Sequence, residues 1–230
     1  MEDKNYYAEQ LNSQMLFQVY DTKIPRIDQY LEEEINRVKK DLKAEDKLLE
    51  VGCGYGRILK KLAGSAGSVK GIDISKDSIN FAKDYLKDCK NVELEVADFH
   101  TMKNDEKFDV IILLQNALSA IKGDPKETIA KSLSMLKDSG KLYISTYSKN
   151  FWDQRIEWFE EQADKKLLGQ IDYDKTKDGV IICKDGFKAI TFTEEDFEKL
   201  AKATGYKYSI EEVDGSSLFL IIKKKKLINK

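Results

Sequence analysis

The sequence is poor in several residue types that mark particular classes of protein. Its 230 residues include two prolines, three cysteines and one histidine, and only four of its 39 basic residues are arginines. Three widely spaced cysteines do not form the dense, even-numbered framework of a small disulfide-linked domain. One histidine without a Cys-x-x-Cys motif argues against a His/Cys metal site. The scarcity of arginine and a net charge of −2 argue against a nucleic-acid-binding protein.

Long apolar segments are also missing. The longest uninterrupted apolar runs are Val110–Leu114 and Leu218–Ile222, far below the roughly 20 residues that cross a bilayer. The first residues lack a basic start with an apolar stretch behind it, so no secretory signal is predicted. Together with cysteines that suggest reduced thiols, these features predict a cytoplasmic protein. With 41% hydrophobic and 35% charged residues, the chain has enough apolar content for a sizeable core.

The hydrophobic pattern changes along the chain and divides it into three predicted regions. Residues 1–45 read as helix, because apolar residues recur at intervals of three and four. Residues 46–148 alternate strands with helices, which predicts a parallel sheet with helices on both faces. Residues 149–191 form an insertion with a helix and a short hairpin, and residues 192–230 return to the sheet domain.

Apolar runs and turn residues predict the individual elements. The predicted strands are Leu48–Val51, Ser68–Ile74, Asn91–Val96, Phe108–Leu114, Lys141–Thr146, Tyr206–Val213 and Ser217–Lys223, the last two as an antiparallel edge hairpin. Predicted helices lie at Arg57–Ala63, Ser75–Leu86, Pro125–Leu136 and Lys149–Leu168. A further helix begins with a capping box formed by Thr193 and Asp196 and ends at Gly205. Val180–Thr191 reads as a short hairpin around Gly186, and Pro25 suits a helix start.

A glycine-rich loop follows the first predicted strand, in the segment Glu50-Val51-Gly52-Cys53-Gly54-Tyr55-Gly56-Arg57. Glycines let the backbone approach a ligand closely, and the helix that follows presents unpaired N–H groups. The dinucleotide fingerprint is Gly-x-Gly-x-x-Gly, but here the third glycine comes one position early and Arg57 occupies the last position. The loop therefore suits a diphosphate poorly and an adenosine with a compact zwitterionic tail better. A tight turn without a ligand is the alternative.

Acidic residues follow the next two strands. Asp73 lies about twenty residues beyond the loop, where a carboxylate can accept hydrogen bonds from both ribose hydroxyls. Because Ser75 is the better cap for the next helix, we expect Asp73 to be free for a ligand. Asp98 follows the third strand, where it can accept a hydrogen bond from the exocyclic amine of an adenine. Three such features at three successive strand ends indicate one ligand site.

These motifs resemble those of class I S-adenosylmethionine-dependent methyltransferases over residues 46–147. The segment from Glu50 to Gly56 is similar to the family's first motif, Glu/Asp-x-Gly-x-Gly-x-Gly. The resemblance implies S-adenosylmethionine as cofactor and a doubly wound, Rossmann-like α/β fold. Its seven-stranded sheet would be mostly parallel with an antiparallel last strand. Residues 1–45 would form a helical cap and residues 149–191 a small inserted lid that contributes to the acceptor site.

The resemblance also implies a set of cofactor-binding residues. The glycines would approach the methionine part, and Glu50 would support the loop or the cofactor's ammonium group. The two aspartates would bind ribose and adenine with apolar neighbours on the ring, and Gln115 would lie near the methionine part. The predicted cofactor-binding residues are Glu50, Gly52, Cys53, Gly54, Gly56, Asp73, Ile74, Asp98, Phe99 and Gln115.

Fewer residues of the sequence indicate where the methyl acceptor binds. The stretch Leu114–Ile121 is similar to the Asn-Ser-Phe-x-His-Leu segment of small-molecule N-methyltransferases of the glycine and sarcosine type, which implies that Asn116 lies near the acceptor. A simple helix cap is the alternative for Asn116. Tyr20, Tyr147 and Trp152 are further candidates for positioning the acceptor, since aromatic faces hold a cationic amine or a flat ring. Ordinary packing is their alternative.

Other residues near these motifs allow two interpretations. Arg155 either binds an acceptor carboxylate or forms a surface salt bridge with a nearby glutamate, and we favour the salt bridge. His100 is interpreted as a loop residue near the cofactor rather than a base, and Cys53 as a filler of the loop rather than a nucleophile. Tyr6 and Tyr7 belong to the N-terminal region that is expected to fold over the cofactor.

The sequence therefore predicts methyl transfer from S-adenosylmethionine to nitrogen or oxygen of a small molecule by in-line displacement. No catalytic residue is assigned, because the cofactor supplies the electrophile and the protein supplies alignment. The alternatives are a methyltransferase acting on RNA or protein and a non-enzymatic module that binds the cofactor. The glycine spacing opposes an NAD-dependent oxidoreductase. We expect no metal, no nucleic-acid or membrane partner, and a monomer or homodimer.

Overall fold

The computed structural model describes residue 11, residues 13–103 and residues 105–226. The helices are α1 (Ser13–Tyr20), α2 (Pro25–Lys39), α3 (Arg57–Leu62), α4 (Lys76–Tyr85), α5 (Ala117–Ala120), α6 (Pro125–Met135), α7 (Trp152–Asp164) and α8 (Glu194–Lys202). The strands are β1 (Lys47–Val51), β2 (Ser68–Asp73), β3 (Val92–Val96), β4 (Phe108–Leu113), β5 (Leu136–Tyr147), β6 (Ile181–Ile182), β7 (Lys188–Ala189), β8 (Tyr206–Val213) and β9 (Ser217–Lys226). The strand–helix alternation between β1 and β5 matches the predicted pattern.

Seven of the strands form one sheet in the order β3-β2-β1-β4-β5-β9-β8. Strands β1 to β5 pair in parallel, whereas β9 runs antiparallel to both β5 and β8. The predicted mostly parallel sheet with an antiparallel last strand is confirmed, as is the edge hairpin. The chain order reverses between β1 and β4, and open α/β sheets bind ligands beyond the carboxyl ends of strands at such a point.

Two apolar layers cover the sheet, one on each face. On one face α2, α3 and α4 contribute to a buried cluster that includes Ile35, Leu59 and Ile79. On the other face α6 and α8 contribute to a second cluster, with Leu133 and Phe197 as members. Strand β4 has an almost wholly buried apolar sequence because it lies between these two layers.

A third apolar cluster joins the N-terminal helices to the insertion. It contains Ile27 and Tyr30 of α2 together with Trp158 and Phe159 of α7 and Phe187 of the β6–β7 connection. The ring of Tyr30 lies 4.9 Å from that of Phe151, centroid to centroid, and the Trp158 indole nitrogen donates to the carbonyl of Val19 at 3.1 Å. These contacts place the two non-sheet segments side by side.

The predicted helix over the N-terminal region is interrupted by the extended segment before Pro25. Proline disfavours helical backbone in the residue before it, and Ile24 is extended with φ −91° and ψ 105°. Glu161 of α7 holds this segment by accepting from the Thr22 hydroxyl at 2.6 Å and the Lys23 amide at 3.0 Å. The described N-terminal residues are therefore helical on both sides of this segment, and the predicted helix start at Pro25 is confirmed.

Two local predictions are confirmed, and strands β5 and β9 are several residues longer than predicted. The capping box of Thr193 and Asp196 opens α8, with both reciprocal hydrogen bonds present. Gly186, at φ +94°, turns the chain between β6 and β7. Strand β5 begins at Leu136 rather than at Lys141, because Leu136 pairs with the start of β4 before the register shifts.

Within the ranges that the structure describes, no helix has the length and apolarity needed to cross a membrane. The same ranges contain no cluster of His, Cys, Asp and Glu side chains that could hold a metal ion.

Candidate active site

A cavity of about 530 Å³ opens at the carboxyl ends of the parallel strands. Ligand pockets typically measure about 300–1,000 Å³. Nine of the predicted cofactor-binding and acceptor-positioning residues line it: Tyr20, Gly52, Gly54, Asp73, Ile74, Asp98, Phe99, Gln115 and Tyr147. Glu50 and Cys53 instead line a smaller space of about 40 Å³ beside the glycine loop, together with Arg57.

The glycine loop makes a tight turn between β1 and α3. The amides of Gly52 and Cys53 donate to the carbonyl of Ile72 at 2.9 and 3.0 Å, which holds the loop against β2. Gly52 adopts φ +77° and Gly56 φ +85°, backbone conformations that favour glycine. A Cβ on Gly56 would lie 2.4 Å from a methyl carbon of Leu86, so this glycine packs directly against the end of α4.

Asp73 fastens the glycine loop to the end of β2. One carboxylate oxygen accepts from the amide of Gly54 and the other from the amide of Ser75, both at 2.8 Å. Ser75 does cap α4 by accepting from the amide of Ser78, but Asp73 is not free as predicted. Each carboxylate oxygen has a second lone pair, so the group can still accept from a ligand. Burial raises the pKa of Asp73, while the two backbone amides lower it.

The residues after β3 form the far end of the cavity. The amide of His100 donates to Asp98 at 2.8 Å, and Phe99 is buried whereas Ile74 is 49% exposed. His100 lines the cavity, and its Nε2 lies 3.3 Å from the hydroxyl of Thr128. This placement agrees with a loop residue near the site.

A left-handed turn follows β4. Gln115 and Asn116 adopt φ +54° and +61°, a conformation that costs energy in residues other than glycine. Buried Glu34 of α2 compensates by accepting from the Gln115 amide at 3.2 Å and from its side chain, and Ser145 accepts from the same amide at 3.0 Å. Burial raises the pKa of Glu34, while hydrogen bonds from Ser145 and Gln115 lower it.

Asn116 uses its side chain to join three segments. Its Nδ2 donates to the carbonyl of Ile190 at 2.7 Å, and its Oδ1 accepts from the hydroxyl of Thr146 at 2.8 Å. Asn116 occupies the N-cap position of α5, as the alternative supposed, but its side chain makes no capping hydrogen bond to this helix. Asn116 is also not among the described residues that line the cavity.

Glu50 is buried and Arg57 is partly buried beside the glycine loop, and both have buried polar atoms that lack partners among the described residues. These atoms are Oε2 of Glu50 and Nε and Nη2 of Arg57. Burial raises the pKa of Glu50 well above its ordinary value, and the charge of Arg57 opposes this rise. The Arg57 guanidinium also lies 4.6 Å from the centre of the Tyr20 ring. Buried, unpaired groups of both signs suit a zwitterionic ligand.

Aromatic residues line the cavity beyond β4. Tyr147 at the end of β5, Trp158 and Phe159 of α7, and Phe187 form this wall. Trp152, named from the sequence, lies at the edge of the third apolar cluster and is not among the described lining residues. The tyrosines at positions 6 and 7 lie outside the described residues.

Arg155 is buried rather than at the surface, so the predicted surface salt bridge is wrong. It is 1% exposed, and it donates to the carbonyls of Gly179 at 2.9 Å and Ala189 at 3.4 Å. Its guanidinium lies 4.4 Å from the centre of the Tyr147 ring. Arg155 therefore links α7 to the chain around the β6–β7 hairpin and packs its guanidinium against the ring of Tyr147.

Sequence reasoning missed three polar residues near the site. Glu34 of α2 and Gln162 of α7 are 0% and 3% exposed, and Arg57 is the third. Position 57 carried a signal, because Arg57 directly follows the glycine loop in a chain with only four arginines. Glu34 and Gln162 lie in helices rich in charged and polar residues, where the sequence does not distinguish them.

The sequence matches the family described as a methyltransferase domain over residues 42–182, more than half of the chain. The chain is a class I S-adenosylmethionine-dependent methyltransferase. A ubiquinone biosynthesis O-methyltransferase of Coxiella burnetii is 31% identical over 106 residues, which cover 45% of this chain and 44% of that protein. The chain thus spans less than half the length of this curated relative.

Solved structures of similar fold include two archaeal proteins. A methyltransferase of Methanosarcina mazei has a TM-score of 0.61 and 21% identity, with 83% of this chain and 98% of that chain covered. A protein of Pyrococcus horikoshii has a TM-score of 0.63 and 22% identity, with 97% of each chain covered. At this identity the likeness concerns the fold. The methyltransferase uses S-adenosylmethionine as its cofactor.

Proposed function

We propose that this methyltransferase transfers the methyl group of S-adenosylmethionine to an oxygen or nitrogen atom of a small molecule. The observation that carries this proposal is a single cavity with carboxylates and glycines at one end and aromatic side chains at the other. In the in-line reaction the bond between sulfur and the methyl carbon breaks, and its electron pair stays on sulfur. A lone pair of the acceptor forms the new bond, and the acceptor's proton leaves to solvent.

Several features of the chain fit the cofactor. Asp73 keeps lone pairs for ribose hydroxyls, and Asp98 lies where it can accept from an adenine amine, with Ile74 and Phe99 as apolar neighbours. Gly52 faces the cavity, and a Cβ there would have Ala117 Cβ at 4.0 Å as its near neighbour, which leaves room for a ligand against the backbone.

The methionine end would be held by the groups that lack partners. The carboxylate of the methionine part would pair with Arg57, and its ammonium with Glu50 and with Oε1 of Gln115, which is also buried without a partner among the described residues. Gly54 would let the methionine part of the cofactor approach the backbone closely. Cys53 and Gly56 would shape the loop from behind, because Cys53 is buried and Gly56 packs on Leu86.

The acceptor would lie beyond Gln115, against Tyr20 and Tyr147. Asn116 and Trp152 would act indirectly, since Asn116 fixes the turn after β4 and Trp152 packs near Arg155 at 5.8 Å from guanidinium to ring centre. In this scheme residues 1–45 and 149–191 form the cap and lid over a sheet domain made of residues 46–148 and 192–230. The protein's task is alignment of donor and acceptor, which can lower a barrier by several kcal/mol.

Other evidence supports a small acceptor. A relative is named for O-methylation in ubiquinone biosynthesis, which favours a small molecule and oxygen as the acceptor atom. The three cysteines are free thiols, which favours action in the cytoplasm. Oligomeric state is proposed as monomer or homodimer.

The test is calorimetric titration with S-adenosylmethionine, S-adenosylhomocysteine and NAD. We expect binding of both sulfur nucleotides and none of NAD. Asp73→Ala should weaken sulfur-nucleotide binding at least about tenfold, because hydrogen bonds to a charged group contribute about 1.5–3 kcal/mol. Asp84→Ala, at an exposed carboxylate near the end of α4, is the matched control. Unchanged affinity of Asp73→Ala would overturn the role of Asp73, and preferential NAD binding would overturn the proposed function.

A further inference from the structure

The cavity crosses five strand ends in a fixed order. Asp98 follows β3, Asp73 ends β2, Gly52 follows β1, Gln115 follows β4 and Tyr147 ends β5. Adjacent strands lie about 4.8 Å apart, so the four steps from β3 to β5 span about 19 Å. A cofactor held at β3, β2 and β1 leaves the β5 end of the cavity to the acceptor.

Helix α7 builds one wall of the β5 end. Trp158 and Phe159 lie one helical turn before Gln162, at four and three residues, so the three side chains share a helix face. All three line the cavity, as do Tyr147 and Phe187. Aromatic rings therefore line this end of the cavity, here called the slot, and they favour a flat ring as the ligand.

The charged groups that line the cavity are at its other end. Asp73 and Asp98 follow β2 and β3, and Glu127 lies next to Thr128, which contacts His100. Lys122 adjoins Gly123, whose added Cβ would lie 2.9 Å from His100 Nε2. Of the described residues that line the β5 end, none is charged.

Two arginines lie against aromatic rings of the cavity wall, Arg155 buried and Arg57 partly buried. The guanidinium of Arg155 is 4.4 Å from the Tyr147 ring centre, and that of Arg57 is 4.6 Å from the Tyr20 ring centre. A ring that already carries a guanidinium on one face attracts a second cation poorly, because the two positive charges repel each other. A cationic amine is therefore disfavoured, in contrast to what aromatic residues alone suggest.

Gln162 is the polar group of this slot. It is 3% exposed and lines the cavity beside Trp158 and Phe159. A side-chain amide that lines an apolar part of a cavity can both donate to and accept from a ligand there, and such placed polar groups fix a ligand's orientation. On the basis of the proposed function, we infer that Tyr147, Trp158, Phe159, Phe187 and Gln162 form the acceptor subsite. It takes an uncharged planar ring whose hydroxyl or amino group hydrogen-bonds to Gln162.

The test compares three para-substituted phenols that share one ring and differ in charge. The protein is saturated with S-adenosylhomocysteine and titrated with para-cresol, which is neutral, para-hydroxybenzoate, which is anionic, and tyramine, which is cationic. We expect para-cresol to bind more tightly than either charged compound. Equal or tighter binding of a charged compound, or no binding of any ring to the loaded protein, would overturn the subsite. If S-adenosylhomocysteine itself does not bind, the proposed function fails instead.

Two variants test Gln162 directly. Gln162→Leu keeps the size of the side chain and removes the amide, so para-cresol affinity should fall about three- to tenfold. Gln162→Glu adds a carboxylate and should shift the preference toward tyramine, a change that a merely structural role would not produce. Gln154→Leu, two turns earlier on α7 and not among the lining residues, is the control. Both Gln162 variants must bind S-adenosylhomocysteine normally, and unchanged ring preferences in both would refute the inference.

Discussion

Burial has a larger effect than neighbouring charges on the pKa values of the carboxyl groups around the cavity. It raises the pKa of Glu34, Glu50 and Asp73, although Arg57 opposes the rise at the two glutamates. A carboxyl group with a raised pKa changes its ionisation most when a cationic ligand binds, because the cation favours the charged form of the group. The ammonium of the cofactor would supply such a partner for Glu50, so ligand binding and ionisation of Glu50 are coupled.

The cysteines provide a prediction at the residue scale. Burial raises the pKa of Cys53, with the charges of Glu50 and Asp73 adding to the effect, and burial raises the pKa of Cys183 to about 11. Both thiols are therefore protonated and shielded at pH 8, whereas Cys89 is half-buried. We expect iodoacetamide to label Cys89 first in the folded protein, as measured by mass spectrometry of the peptides.

The control for this experiment is Cys89→Ser, which should leave the folded protein almost unlabelled. Unfolding in urea should then expose the other two thiols to the reagent. Labelling of Cys53 as fast as Cys89 in the folded protein would contradict its interpretation as a buried filler.

At the scale of elements, the chain around α2 ties the N-terminal region to the sheet at several places, two of which are at β4 and β5. Glu34 reaches the turn after β4, and Asp41, just beyond the helix, binds β5. The hydroxyl of Tyr143 donates to Asp41 at 2.5 Å, and Lys141 donates at 2.9 Å. Burial alone would raise the pKa of Asp41, but hydrogen bonds from Tyr143, Lys141 and Arg37 lower it to about 2.

Asp41→Asn should therefore lower the free energy of unfolding at pH 7 by about 1 kcal/mol, since solvent screens a side chain that is 30% exposed. A carboxylate with a depressed pKa stabilises the fold above its unfolded pKa. The difference between Asp41→Asn and wild type should thus shrink as the pH falls from about 4 toward 2.

Urea unfolding at a series of pH values measures this difference. Glu45→Gln, at an exposed position in the same connection, is the control. A difference that stays constant down to pH 2 would mean that the charge of Asp41 is not what stabilises the connection.

Structural features that depend on neighbouring residues were predictable from the sequence, whereas features that depend on contacts with remote residues were not. The strand–helix alternation, the capping box at Thr193 and the turn at Gly186 depend on neighbouring residues. The early start of β5 depends on pairing with β4, and the burial of Arg155 depends on carbonyls 24 and 34 residues away. No local pattern encodes such partners.

The same division applies to the site. The glycine loop, Asp73 and Asp98 follow successive strands, so the parallel sheet alone brings them to one edge. The slot beyond β4 is made by α7 and the β6–β7 hairpin, whose positions are fixed by packing against α2. Gln162 therefore became visible as a candidate only in the folded chain.

At the scale of the whole molecule, a cofactor that contacts the ends of several strands should stabilise the fold. A ligand at about one hundred times its dissociation constant adds about 2.7 kcal/mol. For a chain of this size that corresponds to a rise of about 5 to 10 °C in the midpoint of thermal unfolding. We expect S-adenosylhomocysteine to produce this rise in a calorimetric or fluorescence melt and NAD at the same concentration to produce none.

Adenosine serves as the control in this melt, because it lacks the methionine part that Glu50 and Arg57 would hold. It should raise the midpoint less than S-adenosylhomocysteine at equal concentration. An equal rise with adenosine would show that Glu50 and Arg57 contribute nothing to binding.

The left-handed turn at Gln115 and Asn116 also bears on how the chain folds. Its stabilising partners are remote in sequence, since Glu34 lies 81 residues before Gln115 and Ile190 lies 74 residues after Asn116. Closing such long loops is entropically costly, so contacts of this kind form slowly. The floor of the cavity can take its final shape only after both flanking segments have docked, and binding competence should therefore appear among the last steps of refolding.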